Sequence, residues 1–277
     1  MKKGQMTKPF RSILIIILIA VMLISLISCK GENEMKVCFF EEKSGDCTIL
    51  TSRGKAAVID CGNGIGTEIC EYLLSENINV IDALVISDFT EEHFNGAVRI
   101  LSEFDVNDIY IPGYIQTGDG YDDFITACDA QAIEPYMVDG MISFPIGDCT
   151  VRVYAADNSM NSEKGDHCLM TSVSCDKRNM LICGDAGEGR LKEFLSHNTL
   201  DYDLIKLPNH GAYYSCLEDQ AKNWKPDYSV IIPDSNIDHS KTVELFEKYK
   251  SDVYITDNGR LIFNCDGKKL EKENNDK

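Results

Sequence analysis

Four loops of this chain carry the imidazole and carboxylate groups from which metal centres are built. The loop of residues 87–96 contains Asp88, Glu92 and His93. The other three loops contain Asp185, the pair Asn209 and His210, and the pair Asp238 and His239. Each loop follows an apolar run that predicts a buried strand. A divalent metal held by such groups acidifies its bound water, which then attacks an ester, an amide or a phosphodiester.

The segments that must position these loops alternate between strand and helix patterns. Strands are predicted at residues 35–41, 46–51, 56–60, 82–86, 107–111, 142–145, 149–155, 168–175, 179–183, 202–206, 228–232, 252–256 and 260–265. Helices are predicted at residues 66–77, 93–103, 120–131, 188–196 and 240–249. Strand pairs with tight turns, followed by strand–helix alternation, occur twice. This pattern suits two mixed sheets packed face to face with helices outside.

No stretch rich in proline or glycine divides the chain, so residues 35–265 are predicted to form one domain. Residues 29–34 are expected to be a short polar linker before this domain. Residues 266–277 form a polar tail that is expected to fray.

The first 28 residues have the pattern of a secretory signal peptide. A basic start precedes an apolar run of 15 residues, which is shorter than the ~20 residues that a spanning helix needs. Residues 26–29 resemble the bacterial lipobox, which implies a diacylglyceryl group on Cys29, lipid anchoring in the cell membrane and a domain on its extracytoplasmic face. The alternative is an uncleaved N-terminal anchor with an unmodified Cys29. Both hypotheses place the domain at a membrane.

Charge and cysteine spacing exclude several classes of protein. Removal of the first 28 residues takes away four basic and no acidic groups, so the net charge changes from −18 to −22. Such a surface repels polyanions, and a long nucleic acid is therefore not an expected partner. None of the twelve cysteines forms a C-x-x-C pair, which excludes zinc-ribbon and thioredoxin sites. Most lie in apolar runs and are interpreted as small buried side chains. Their disulfide pairing stays open.

Seven segments follow one another in a recognisable order: KSGDC (43–47), VIDCG (58–62), IDALVISDFTEEHFNG (81–96), LICGD (181–185), IKLPNHG (205–211), DHS (238–240) and TDNGRLI (256–262). In this order they resemble the metallo-β-lactamase superfamily and, within it, the C-terminal domain of ComEC/Rec2-type competence proteins. The resemblance implies an α/β (α+β) fold, an αββα metallo-β-lactamase-like sandwich of two mixed sheets with outer helices.

The loop of residues 87–96 departs from the family pattern. In the family layout, one metal uses the first two ligand positions of this loop, and here Asp88 and Thr90 stand at them. The resemblance implies that this first metal site is lost, because Asp88 replaces a histidine and the Thr90 hydroxyl is neutral. A second site uses the last two positions, a bridging aspartate and a downstream histidine. By resemblance its ligands are Glu92, His93, Asp185 and either His239 or His210.

Two functional hypotheses follow. The first is a membrane-anchored, extracytoplasmic hydrolase with one zinc or manganese ion and weak activity on a small-molecule ester or a phosphodiester. Its assignments are Glu92, His93, Asp185 and His239 as ligands, Asp88 as base or weak ligand, His210 as the group that polarises the scissile bond, and Asp46 and Asp60 as supporting residues. The second is a non-catalytic pseudoenzyme, with no metal, that binds a ligand or a protein partner at the remnant site. In a simpler interpretation, Asp60 and Asp185 only cap turns or helices.

Overall fold

The computed structural model describes residues 34–42, 45–62, 64–114, 116–157, 166–256 and 259–273. The predicted signal peptide, Cys29 and most of the linker lie outside these residues, as do residues 43–44 and 257–258 of two matched segments. Among the helices of the described part, none has the length and apolar character needed to cross a bilayer.

Strands and helices alternate along the described chain largely as predicted. The strands are β1 (Met35–Glu42), β2 (Gly45–Ser52), β3 (Lys55–Ile59), β4 (Val80–Val85), β5 (Asp105–Pro112), β6 (Tyr136–Val138), β7 (Met141–Ile146), β8 (Cys149–Tyr154), β9 (Met170–Cys175), β10 (Arg178–Ile182), β11 (Leu204–Lys206), β12 (Tyr228–Ile231), β13 (Asp252–Ile255), β14 (Gly259–Cys265) and β15 (Leu270–Lys272). The helices are α1 (Gly66–Ser75), α2 (Glu91–Phe94), α3 (Ala97–Glu103), α4 (Asp119–Ala130), α5 (Glu188–His197), α6 (Leu217–Trp224) and α7 (Ser240–Lys248).

The strands form two mixed sheets. The first has the order β15-β14-β1-β2-β3-β4-β5-β6, and the second has the order β13-β12-β11-β10-β9-β8-β7. Strands β3 to β6 and strands β10 to β13 run parallel within their sheets, whereas the other neighbours are antiparallel. The predicted architecture of two mixed sheets is confirmed.

Three buried apolar layers hold the sandwich together. Strand β1 shows how they arise, since Val37 and Phe39 enter the layer between the sheets while Cys38 and Phe40 enter the layer under the helices of the first sheet. Successive side chains of a strand point to opposite faces, so a strand with apolar residues on both faces is covered on both. Helices α1, α3 and α4 pack on the first sheet, and α5, α6 and α7 pack on the second.

Parallel strands bring their following loops to one edge of the molecule. The loops after β3 and β4 meet so closely that no side chain fits between them. A Cβ built on Gly62 would lie 1.7 Å from the Glu92 carbonyl oxygen, and one on Gly96 would lie 2.6 Å from that of Cys61. Backbone hydrogen bonds from Cys61 N to His93 O (2.7 Å) and from Gly96 N to Cys61 O (2.6 Å) fix the contact. This close approach divides the helix predicted at residues 93–103 into α2 and α3.

Three short elements differ from the prediction. Helix α6 and strand β6 lie in segments for which no element was predicted. Strand β15 pairs with β14, so part of the tail that was expected to fray is ordered in the sheet.

The cysteines divide into one disulfide and a set of buried thiols. Cys149 on β8 and Cys175 on β9 form a disulfide. The other cysteines of the described residues are free and buried: Cys38, Cys47, Cys61, Cys70, Cys128, Cys168, Cys183, Cys216 and Cys265.

Candidate metal centre

His93 is fixed at one ring nitrogen by a buried carboxylate. Its Nδ1 lies 2.9 Å from Asp60 Oδ2, and both side chains are almost completely buried. Asp60 also accepts hydrogen bonds from Ser87 N and Ser87 Oγ, each at 2.7 Å. A carboxylate next to so many donors is an acceptor, so the Nδ1 of His93 carries the hydrogen. The Nε2 is therefore the ring nitrogen left for a second proton or a metal ion.

The Nε2 of His93 points at a second carboxylate. It lies 3.3 Å from Asp185 Oδ2, yet His93 Nε2 and Asp185 Oδ1 are buried polar atoms without a hydrogen-bond partner. Burial by itself lowers the pKa of His93, but the charges of Asp60 and Asp185 raise that pKa well above its ordinary value. Burial by itself raises the pKa of Asp185, but the adjacent His93 imidazolium holds that pKa below its ordinary range.

A second imidazole, that of His210, reaches the same carboxylate from the other sheet. His210 lies in a 3-10 turn (Asn209–Gly211) with φ of 53°, and its Nδ1 donates to the carbonyl oxygen of Ile232 at 2.9 Å. A carbonyl only accepts, so the Nδ1 of His210 carries a hydrogen and Nε2 is the ring nitrogen left to face the carboxylates. That Nε2 lies 3.2 Å from Glu92 Oε2 and 3.7 Å from Asp185 Oδ1.

Potential ligand atoms of the described residues converge in two groups that share Glu92. Glu92, His93 and Asp185 form one group, and Glu92, His210 and Asp234 form the other, with the atoms of each group within 4.8 Å of one another. A further group of this kind consists of Asp46, Asp60 and His93. There, however, Ser87 donates to Asp60 and Lys206 pairs with Asp46, so protein donors satisfy the carboxylates.

Comparison with known proteins agrees with this architecture. No family model matches the chain. Recombination protein 2 of Haemophilus influenzae is 25% identical over 230 residues, which are 76% of this chain and 26% of that protein. The chain thus spans about a quarter of the length of this relative.

Solved structures resemble the chain over most of its length. The metallo-β-lactamase fold protein YhfI from Bacillus subtilis has a TM-score of 0.59 and 12% identity, covering 84% of this chain and 100% of that one. Tm1679, a metal-dependent hydrolase of the β-lactamase superfamily, has a TM-score of 0.55 and 10% identity, covering 82% of this chain and 98% of that one. The chain has the metallo-β-lactamase fold. The fold prediction is confirmed.

Within this metallo-β-lactamase fold, the positions expected for the first metal are occupied by hydrogen bonds of the protein. Asp88 Oδ1 accepts from Thr90 N at 2.8 Å, and Asp88 Oδ2 accepts from Tyr114 OH at 3.2 Å. Asn209 Nδ2 donates to Tyr214 OH at 2.6 Å. Thr90 Oγ1 is buried without a partner. None of these side chains belongs to a converging group of the described residues.

The predicted site residues thus fall into two sets, those whose ligand atoms converge and those whose ligand atoms do not. Glu92, His93 and Asp185 lie together. His210, which was expected to polarise a scissile bond, converges instead with Glu92 and Asp234, and its Nε2 lies 3.7 Å from Asp185 Oδ1. His239, named as a ligand, belongs to none of the converging groups of the described chain. Its β-carbon lies against the backbone of Gly211, 2.9 Å from the position that a Cβ on Gly211 would take.

Asp234 is the residue that motif matching missed. It follows the apolar run that becomes β12, in the same way that Asp185 follows the run that becomes β10. A carboxylate directly after a buried parallel strand was the signal that could have found it.

Proposed function

We propose that this chain is a metal-dependent hydrolase with one metal ion held by Glu92, His93, Asp185 and His210. The observation that carries the proposal is a convergence of ligand atoms: the Nε2 atoms of two imidazoles, each anchored through its Nδ1, face carboxylate oxygens of Asp185 and Glu92. His93 Nε2 and Asp185 Oδ1 are buried without a hydrogen-bond partner. Buried acceptors that face one another are destabilising unless a cation joins them. Imidazoles and carboxylates are the ligands that zinc and manganese use in proteins, so the side chains fit such an ion.

The protein groups around the site have separate tasks. Asp60 orients His93 and the Ile232 carbonyl orients His210, which aims both Nε2 atoms at the same place. When bound, the ion lowers the pKa of a water and polarises the substrate. Glu92 has a side chain that is 31% exposed, whereas those of His93, His210 and Asp185 are at most 7% exposed. A small-molecule ester or a phosphodiester therefore approaches from the Glu92 side.

Metal analysis of the purified domain tests the proposal. We expect about one equivalent of zinc or manganese at neutral pH and an increase in the unfolding temperature when the metal-free protein is reloaded. Asp185→Asn should abolish both effects, because Asp185 faces both imidazoles. A wild-type protein with no metal above background, and no response to either ion, would overturn the proposal.

The membrane location is a proposal that rests on the sequence of the first 29 residues. We infer that Cys29 carries the lipid and that the domain lies on the extracytoplasmic face. Growth of cells with a labelled fatty acid should label the full chain, and Cys29→Ser should remove the label. Equal labelling of both proteins contradicts the lipid anchor.

A second candidate function is non-catalytic binding at the same cleft. It is favoured by the hydrogen bonds that occupy Asp88 at the expected first metal site. If Glu92→Gln and His93→Ala leave thermal stability and its response to chelator unchanged, the site is a relic and this candidate replaces the first.

A further inference from the structure

Asp234 joins the proposed metal centre from a loop that no matched motif includes. The loop after β12 holds the Ile232 carbonyl, which accepts the Nδ1 hydrogen of His210. Two residues later, Asp234 meets His210 and Glu92 in one group of potential ligand atoms. The same short loop therefore orients one imidazole and supplies a carboxylate beside it.

The side chain of Asp234 is held in place by its own turn. Its Oδ1 accepts hydrogen bonds from Asn236 N at 2.6 Å and from Asn236 Nδ2 at 2.9 Å. Both bonds end on Oδ1, so a bond from Oδ2 to a cation does not compete with them. The half-buried carboxylate is thus pre-oriented rather than free to turn into solvent.

The group around Asp234 places two carboxylates beside one imidazole nitrogen. His210 is 3% exposed, and its Nε2 faces Glu92 Oε2 at 3.2 Å. Asp234 adds a second carboxylate to this pair. A cation at this point would contact all three side chains.

The ligand chemistry favours a hard cation. With Asp234, the centre offers three carboxylates and two imidazoles, namely Glu92, Asp185, Asp234, His93 and His210. Zinc is most often four-coordinate and well served by imidazole. Manganese takes more ligands, and carboxylate oxygens suit it.

We propose that Asp234 is a fifth ligand of the metal centre and that it strengthens the binding of Mn²⁺ more than the binding of Zn²⁺. This inference rests on the proposed function, since it needs a metal at Glu92, His93, Asp185 and His210.

The experiment compares matched variants of the metal-free domain by titration calorimetry with Mn²⁺ and with Zn²⁺. In Asp234→Asn the amide oxygen can still accept from Asn236, so the turn is kept while the charge is lost. Asp238→Asn is the control, because Asp238 lies in the same loop, is exposed, and accepts from Ser240 N at 3.0 Å in a similar turn. The two variants change net charge equally. Thermal unfolding in chelator checks that both are folded.

We expect Asp234→Asn to weaken Mn²⁺ binding by at least about tenfold, the lower end of the effects seen for residues that support a metal site. Zn²⁺ binding should weaken by less than about threefold, so the Zn²⁺ over Mn²⁺ preference rises. The electron paramagnetic resonance spectrum of bound Mn²⁺ should also change in this variant, because one carboxylate leaves the ion. Asp238→Asn should match the wild type in every measurement.

The outcomes separate the two proposals. If the wild type binds metal, Asp185→Asn abolishes binding, and Asp234→Asn behaves like Asp238→Asn, then the metal site stands and the role of Asp234 is overturned. An equal loss of Mn²⁺ and Zn²⁺ affinity in Asp234→Asn overturns the selectivity. If neither ion binds the wild type, the proposed function and this inference fall together.

Discussion

Two sets of carboxylates lie at the same edge of the sandwich and differ in what faces them. Asp46, Asp60 and Asp88 are met by hydrogen-bond donors of the protein. Asp185 and Glu92 are met by the Nε2 atoms of two imidazoles. His93 separates the two sets, since its Nδ1 donates to Asp60 while its Nε2 faces Asp185.

The difference separates two kinds of acidic residue. Those with protein donors stabilise the fold, and we call them the frame; those that face the imidazole Nε2 atoms are the proposed metal ligands. A buried carboxylate with its donors in place rigidifies the structure around it. A buried carboxylate opposite an imidazole Nε2 needs a positive charge there, supplied by a proton on the ring or by a metal ion. The predictions below act on one set or the other.

The largest effect is expected in the frame, at the buried ion pair of Lys206 with Asp46. Both residues are 1% exposed, and the pair joins β11 of one sheet to β2 of the other. Lys206→Met should lower the free energy of unfolding by about 3–5 kcal/mol, since it leaves the Asp46 charge buried without a partner. Urea unfolding in chelator measures this loss. The double variant Lys206→Met/Asp46→Asn should recover part of it, and a loss below about 1 kcal/mol in the single variant contradicts a frame role.

The next effect is on metal affinity, at the residue that contacts both sets. His93→Gln should weaken Mn²⁺ and Zn²⁺ binding by about 100-fold, because the ring nitrogen that faces Asp185 is lost. Asp88→Asn, in the same loop, should change either affinity by less than about threefold, since Asp88 belongs to the donor-satisfied set. Calorimetric titration of both variants decides the comparison. Similar losses in the two variants would show that the division between the sets is wrong.

A third effect is the pH dependence of the metal-free protein. The pKa of His93 is raised well above its ordinary value by Asp60 and Asp185, after burial has acted in the opposite direction. The stability that this raised pKa contributes is complete below the pH at which the unfolded imidazole titrates, about 6.5, and is lost as the pH rises through the folded pKa. In chelator, the unfolding temperature should therefore fall as the pH rises above about 6.5.

Two comparisons sharpen this expectation. Saturating Mn²⁺ should reduce the fall, because the ion takes the place of the proton on Nε2. His93→Gln should flatten the curve measured in chelator. Parallel curves for the wild type and His93→Gln would show that another group titrates.

The sequence predicts the fold well because many of its strands are continuous apolar runs, which is typical of strands covered on both faces. Strand β1 is an example. Val37 and Phe39 lie in the layer between the sheets, and Cys38 and Phe40 lie in the layer under the helices. Strand β15 carries no such pattern, since three residues are too few for a period and its pairing depends on the turn that precedes it. Helix α6 did have a signal, because Leu217, Ala221 and Trp224 are spaced as on one helical face.

The site is predictable only up to the point at which loops from different strands must pack. Motif order is enough to select Glu92, His93 and Asp185. The choice between His210 and His239 depends on the Ile232 carbonyl, which belongs to a loop far from His210 in sequence. In the sequence, Asp234 and Asp238 are two aspartates of one polar loop that nothing distinguishes. Only the folded chain brings Asp234 beside Glu92.

The smallest predicted effect tests whether the donor-satisfied set is truly separate from the metal. Tyr114 OH accepts from Phe89 N at 3.0 Å and donates to Asp88 Oδ2 at 3.2 Å. Tyr114→Phe should lower the free energy of unfolding by about 1 kcal/mol, the usual worth of a hydrogen bond, and should leave metal affinity within about twofold of the wild type. A clear gain in metal affinity would mean that Asp88, once released from Tyr114, turns toward the ion. The hydrogen bond would then be what keeps the first metal position closed, and the two sets of carboxylates would be interchangeable.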